Sequence, residues 1–161
     1  MSTDAAIDYI RYMDESWLLL PFENYVSKLQ DREMNRKYYF IDNGLLALFL
    51  LDPDTSLLEN IVAVNLRRKH GDECYFFNTP RAEVDFYIPE ESMAIQVAYS
   101  IADPNTRKRE ADALLALSDY QKVQHLLIVT KDEEEALEEN GKVISVIPLW
   151  KWLKEDQWTG I

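Results

Sequence analysis

Three side chains with oxygen atoms have residue types and spacing suited to holding a divalent cation. Glu59 lies in a segment with helical periodicity, Asp85 lies within the strand-like run Glu83–Phe86, and Gln96 lies in the next strand-like run. Adjacent strands would bring Asp85 near Gln96, and a helix packed on that sheet would aim Glu59 at the same end. Carboxylate and carbonyl oxygens are the ligands that Mg²⁺ and Mn²⁺ prefer, and both cations retain water molecules that can act as nucleophiles. The three residues therefore predict the metal-binding half of a phosphodiesterase site.

The same residues also have a purely structural interpretation. Asp85 stands between Val84 and Phe86, so it can face solvent on an alternating strand, and Glu59 can occupy the polar edge of a helix. The spacing leaves both interpretations open.

The first part of the chain has the pattern of a helix followed by a hairpin. Apolar residues recur at helical spacing over 4–15, and strand-like segments follow at 17–22 and 37–41. Helix, strand, long tip and strand form the closing half of a winged helix, and no sequence for the two preceding helices is present. We therefore predict a partial winged-helix-like region over 1–42, cut from a longer protein, and a second domain over 43–161. The alternative is a hairpin that simply packs on the domain that follows.

The rest of the chain predicts an α/β (α+β) core with the element order αβββαβ. A long helix ends at Gly71, three short strands with compact turns form an antiparallel meander, and a second long helix precedes a buried strand. The acidic run that begins at Asp132 is expected to form a solvated helix, and Asn43-Gly44 is expected to form a turn with positive φ. The expected strands span 74–78, 82–88, 92–98, 123–130 and 143–147, and the second long helix spans 105–118.

This arrangement resembles the PD-(D/E)XK nuclease fold, a restriction-endonuclease-like αβββαβ core that carries a helix Glu, a strand Asp and a strand Glu-x-Lys. Here the third element reads Gln96-Val97-Ala98. The resemblance implies that Ala98 replaces a lysine that activates the attacking water and stabilises charge on the phosphate. Gln96 also removes one negative charge from the site. The two substitutions together imply a weak or inactive nuclease.

Five sequence blocks resemble the C-terminal domain of unknown function found on many prokaryotic AAA-type (archaeal-ATPase-like) ATPases. The blocks are 39–45, 57–62, 83–86, 95–100, and Thr106 with Arg109-Glu110. The resemblance implies a nuclease-like fold, an adjoining winged-helix region and an upstream P-loop ATPase, and it makes Gln96 a trait of the family. The sequence contains no Gly-x-x-x-x-Gly-Lys-Ser/Thr motif, so ATP binding is not assigned to these residues.

A basic residue of the helix after the third strand is a candidate to replace the missing lysine. Lys108 and Arg109 are placed for this role, and Glu110 would supply a further oxygen atom. Arginine is a poor proton acceptor, although it can clamp a phosphate, whereas Lys108 would act as a base if its pKa were lowered. Arg109 and Glu110 can equally form an internal salt bridge.

Charge and composition limit the partners of the chain. The formal net charge of −12 opposes nonspecific binding to nucleic acid, so any DNA contact must be local. No apolar run is long enough to cross a membrane, no signal peptide is recognisable, and Cys74 is the only cysteine, which together predict a cytoplasmic protein. The residues predicted to contact DNA are Lys28, Arg32, Arg36 and Lys37 of the wing, together with Arg109.

The leading functional hypothesis is a noncatalytic accessory domain that serves recognition or assembly, with an upstream ATPase module or another protein as its partner. One alternative is an Mg²⁺- or Mn²⁺-dependent DNA nuclease that uses Glu59, Asp85 and Gln96 as metal ligands and Lys108 as a substitute base. A further alternative is a DNA-binding module that acts through the wing.

Overall fold

The chain has an α+β fold, as the apolar pattern predicts. A computed structural model describes residues 3–28, 35–51 and 54–154. The elements in chain order are α1 (Thr3–Glu15), β1 (Leu19–Glu23), β2 (Arg36–Phe40), α2 (Asn43–Ala47), α3 (Asp54–His70), β3 (Tyr75–Asn78), β4 (Glu83–Ile88), β5 (Met93–Val97), α4 (Pro104–Tyr120), β6 (His125–Thr130), β7 (Glu135–Glu139), β8 (Lys142–Pro148) and α5 (Leu149–Lys154).

The larger sheet contains six of the described strands in the order β3-β4-β5-β6-β8-β7. Strands β3, β4 and β5 form the expected antiparallel meander, and β6 joins β5 in parallel after the α4 crossover. The five residues Leu126–Thr130 of β6 are all buried, as expected for a parallel strand that is covered on both faces. The segment from α3 to β6 therefore has the predicted order αβββαβ.

The two long helices cover opposite faces of this sheet. Leu58 and Val62 of α3 belong to one core cluster together with Phe86. Leu114 of α4 belongs to a second core cluster together with Val84. Burial of these apolar surfaces is the main term that stabilises the sandwich.

The β1–β2 hairpin packs on the same face of the sheet as α3. The Phe22 ring lies 5.0 Å from that of Tyr39 and 5.6 Å from that of Phe86, centroid to centroid. The buried side chain of Asn60 on α3 donates to the Phe40 carbonyl and accepts from the Phe40 N–H, both at 2.8 Å. The hairpin is therefore fixed to α3 by two hydrogen bonds between the Asn60 side chain and the Phe40 backbone as well as by apolar contact.

Two local predictions were wrong. The acidic run does not form a helix, because Asn140 and Gly141 adopt φ values of 52° and 73° and turn the chain into a hairpin between β7 and β8. Leu137 is the buried residue of β7, and the surrounding glutamates line an exposed strand at the edge of the sheet, where charge discourages further strand pairing. Asn43-Gly44 instead begins α2, which is capped by the Asp42 carboxylate accepting from the Leu45 N–H at 3.1 Å.

Within the described ranges, no helix combines the length and the apolar character needed to cross a bilayer.

Candidate functional site

Six of the sequence-predicted site residues line one open cleft of about 740 Å³. Glu59 reaches it from α3, Asp85 and Gln96 from adjacent strands, and Glu110 from α4. Lys108 and Arg109 also line it. The order of elements therefore brings together the side chains that the spacing predicted to converge.

A β-bulge in β4 sets the position of Asp85. Tyr75 pairs with Tyr87 and Phe77 pairs with Val84, so Phe76 alone faces both Asp85 and Phe86. A bulge redirects side chains and interrupts the regular ladder of hydrogen bonds. The regular alternation that would have turned Asp85 to solvent is thereby lost at this residue.

The Asp85 carboxylate is largely buried and lies between the ammonium of Lys37 and the carboxylate of Glu59. Its Oδ2 accepts from the Val97 N–H at 2.9 Å, and its Oδ1 lies 3.5 Å from the Lys37 Nζ. Burial, followed by repulsion from Glu59, raises the pKa of Asp85 to about 7, against the opposing effects of Lys37 and the Val97 N–H. The Asp85 carboxyl group therefore changes its protonation state near neutral pH.

Gln96 connects two strands and a helix. Its Oε1 accepts from the Asp85 N–H at 2.8 Å, and its Nε2 donates to the Glu83 carbonyl at 3.1 Å and to the Glu110 Oε2 at 2.9 Å. One backbone donor and one backbone acceptor fix which end of the amide carries the oxygen. The carbonyl oxygen that would bind a metal is therefore engaged by the backbone beside the bulge.

Lys37 lies between the carboxylates of Glu83 and Asp85. The sequence instead predicted Lys37 as a DNA-contacting residue of the wing. Its Nζ lies 2.7 Å from the Glu83 Oε1 and 3.5 Å from the Asp85 Oδ1. Burial lowers the pKa of Lys37, but attraction to Asp85 and a hydrogen bond to Glu83 outweigh it, so the pKa lies above its ordinary value. The group is therefore a fixed ammonium ion. The spacing of Lys37 and Tyr39, two residues apart on β2, indicates that both side chains lie on one face of the strand, and this was the signal for Lys37 in the sequence.

Glu59 is tied to the same hairpin. The Tyr39 hydroxyl donates to the Glu59 Oε1 at 2.6 Å. Burial and the adjacent Glu59 carboxylate raise the pKa of Tyr39 well above its ordinary value, which keeps the phenol protonated as the donor. The hairpin thus contacts the predicted metal ligands through two residues of one strand.

The charged residues of α4 are paired with other side chains. Glu110 is buried, and its Oε1 accepts from the Arg109 Nε at 3.0 Å while its other oxygen accepts from Gln96. The Lys108 Nζ lies 2.9 Å from the Asp112 Oδ2, and its side chain is 76% exposed. The hydrogen bond to Asp112 raises the pKa of Lys108, which is the opposite of what a general base needs.

The predicted wing residues do not form a common basic surface. Lys28 is exposed, whereas Arg36 pairs with Glu23 at 3.2 Å and Lys37 pairs with Glu83 at 2.7 Å. Arg32 lies outside the described residues. Arg109 remains exposed at the mouth of the cleft.

The chemistry available to this arrangement is ion pairing more than metal ligation. In the ranges 3–28, 35–51 and 54–154, no three His, Cys, Asp or Glu side chains are grouped so as to hold a metal ion. The residues best placed to approach a cation are Glu59, Glu83 and Asp85, and they already surround the ammonium of Lys37. Comparison of the chain with models of known protein families, with curated proteins and with solved structures finds no match.

Proposed function

We propose that this chain is a noncatalytic accessory domain, acting in recognition or assembly, on a degenerate PD-(D/E)XK nuclease-like scaffold. The observation that carries the proposal is the ammonium of Lys37 among the carboxylates of Asp85 and Glu83. A metal-dependent phosphodiesterase needs oxygen ligands that converge on a metal ion and leave positions for water. Here the Lys37 side chain supplies the positive charge, and an ammonium group does not activate a water molecule as a metal ion does.

The third motif supports the same proposal. The amide oxygen of Gln96 accepts a hydrogen bond from the Asp85 N–H. Ala98 is buried and has no functional group. Lys108 is paired with Asp112 and Arg109 with Glu110, so the α4 residues predicted to replace the lysine are engaged elsewhere. Proton abstraction from an attacking water therefore lacks a suitable group on α4.

The surface of the N-terminal elements favours a protein as the partner. Trp17, Leu48 and Phe49 have at least 72% of their surface exposed, and most of the other exposed large apolar side chains in the described ranges also precede residue 52. Concentrated exposed apolar surface marks sites of protein contact, and the net charge of −12 opposes contact with nucleic acid. An upstream AAA-type ATPase module, the partner implied by the sequence resemblance, fits this surface chemistry.

One observation favours an Mg²⁺- or Mn²⁺-dependent nuclease as a second candidate function. Lys37 places an ammonium 3.5 Å from Asp85, one of the predicted metal ligands. In this alternative Lys37, and not Lys108, stabilises charge on the phosphate. Glu59 and Asp85 would then hold the metal ion.

Nicking of supercoiled plasmid in Mn²⁺ separates the two functions. The wild-type chain and Asp85→Asn are expected to give the same background, because Asp85 pairs with Lys37 and does not bind a catalytic metal. A metal-dependent nuclease in the same buffer serves as the positive control. Nicking by the wild type that disappears in Asp85→Asn would establish an enzyme and refute the noncatalytic proposal. Lys108→Ala would then show whether α4 contributes the base.

A further inference from the structure

The end of α1 and the start of α2 meet at one end of the β1–β2 hairpin. The Leu18 N–H donates to the Met13 carbonyl at 2.9 Å, and the Ile41 N–H donates to the Leu18 carbonyl at 3.1 Å. The Phe49 ring, just after α2, stacks on the ring of Phe40 with the centroids 5.8 Å apart. The two helices therefore adjoin the same end of the hairpin.

Apolar side chains on these elements are exposed to solvent. Ile7 and Ile10, one turn apart on α1, are 60% and 36% exposed, and no α1 residue in the range 7–15 is buried. A helix of 13 residues is only marginally stable in water without packing of its apolar side, which α1 does not obtain in this range. The exposed apolar side chains that continue this surface are Trp17, Leu18, Ile41, Leu45, Leu48 and Phe49.

Trp17 has a backbone conformation that disfavours its own side chain. Its φ is +59°, in the left-handed region, where any side chain costs free energy relative to glycine. The Trp17 N–H donates to the Asp14 carbonyl at 2.9 Å, so glycine would close α1 here without that cost. Tryptophan is enriched among the residues that dominate the binding energy of protein interfaces. A strained and exposed Trp17 therefore has the properties of an interface anchor.

The charge beside this apolar surface is mainly negative. Helix α1 has four acidic residues and one basic residue, Arg11, which pairs with Asp8 at 3.1 Å and lies 3.9 Å from Glu15. Asp14 and Glu15 stand at the C-terminal end of α1, where the helix dipole disfavours negative charge, and Asp42 is exposed before α2. A second copy of the chain would bring like charges together, whereas a basic partner would neutralise them.

We propose that the surface around Trp17 docks a basic amphipathic helix of a partner protein, with the Trp17 indole as the anchor. The apolar side of that helix covers Trp17, Leu48 and Phe49, and its flanking Lys and Arg residues face the acidic end of α1. A helix suits this surface because an exposed apolar row on one helix packs against a similar row on another. The inference rests on the proposed function, since it gives the recognition domain the chemistry of its partner.

A heteronuclear NMR titration, read at the tryptophan indole N–H signals, tests the proposal. The probe is a synthetic amphipathic helix of about 18 residues whose leucine face is flanked by lysines. We expect a saturable shift of the Trp17 signal and no shift of the Trp150 signal, although Trp150 on α5 is also 53% exposed. A matched peptide with glutamate in place of each lysine should bind at least about tenfold more weakly.

Trp17→Gly separates docking from folding. Glycine removes the indole and relieves the strain at φ +59°, so the Tm should rise by about 3 °C while the lysine peptide binds at least about tenfold more weakly. Trp150→Ala removes an exposed indole elsewhere and should keep the wild-type affinity. Asp14→Lys/Glu15→Lys should weaken binding of the lysine peptide and strengthen binding of the glutamate peptide.

The outcomes distinguish this surface from its alternatives. Absence of binding, equal affinity for the two peptides, or unchanged affinity in Trp17→Gly overturns the proposal. Self-association of the wild type that Trp17→Gly abolishes would assign the surface to a second copy and also overturns it. Plasmid nicking by the wild-type chain would instead refute the noncatalytic function and leave the peptide affinities as an independent result.

Discussion

Gln96→Glu is expected to lower the free energy of unfolding by about 3–5 kcal/mol near pH 8. The new carboxylate would lie against the Glu110 Oε2, which now accepts a hydrogen bond at 2.9 Å, and against the Glu83 carbonyl at 3.1 Å. Two acceptors would lose their donor, and two carboxylates would share one buried space. Urea unfolding of the variant and the wild type measures the loss.

The pH dependence of this variant identifies the cause. Near pH 5 the loss should be smaller, because a pair of adjacent carboxyl groups holds one proton more tightly than an isolated carboxyl group does. Gln124→Glu adds the same charge at an exposed position and should stay within about 0.5 kcal/mol of the wild type. If Gln96→Glu is as stable as the wild type and gains stability in Mg²⁺, position 96 is a metal-ligand position and our interpretation of the amide is wrong.

The wild-type free energy of unfolding should decrease as the pH rises from about 4 to about 7 because of Asp85. Its pKa is about 7 in the folded chain against an ordinary value of 3.8, so the folded state binds the proton more tightly than the unfolded state. The contribution of such a group to stability is complete below the ordinary pKa of 3.8 and is lost progressively as the pH rises to the folded pKa of about 7. The slope from Asp85 alone approaches about 1.4 kcal/mol per pH unit in this window.

Asp85→Asn isolates this contribution. The amide oxygen can still accept from the Val97 N–H, and the variant has no carboxyl group to ionise at this position. Its stability profile should therefore be flatter than that of the wild type, and near pH 8 it should be at least as stable. Asp132→Asn, at an exposed position, is the matched control and should keep the wild-type slope. Parallel profiles for Asp85→Asn and the wild type would contradict the assignment.

The order of elements was predictable because periodicity and burial agree along most of the chain. The five buried residues of β6 and the helix that ends at Gly71, where φ is +58°, follow directly from apolar runs and a glycine stop. One exception is β7, where a glutamate-rich segment forms a strand because the Asn140-Gly141 turn pairs it with β8. Local composition favoured the helix, and the tertiary pairing decided otherwise.

The candidate site was predictable in its position but not in its hydrogen bonding. The order of the strands was enough to place Asp85 and Gln96 side by side. Asp85 supplies the N–H from which Gln96 accepts. The bulge beside Asp85 depends on the register between β3 and β4, which the sequence pattern does not indicate. The place of Lys37 depends on the hairpin packing against the sheet, a contact between residues 48 positions apart. Long-range packing of this kind is not encoded in spacing.

A crystal structure obtained in Mn²⁺, with anomalous difference density calculated at the manganese absorption edge, tests the central claim most directly. The account predicts no anomalous peak among Glu59, Asp85 and Gln96, with the Lys37 ammonium in contact with Glu83 and the Gln96 oxygen still accepting from the Asp85 N–H. A peak at ligand distance from Glu59 and Asp85, with Gln96 turned toward it, would contradict the account and identify a metal-dependent site.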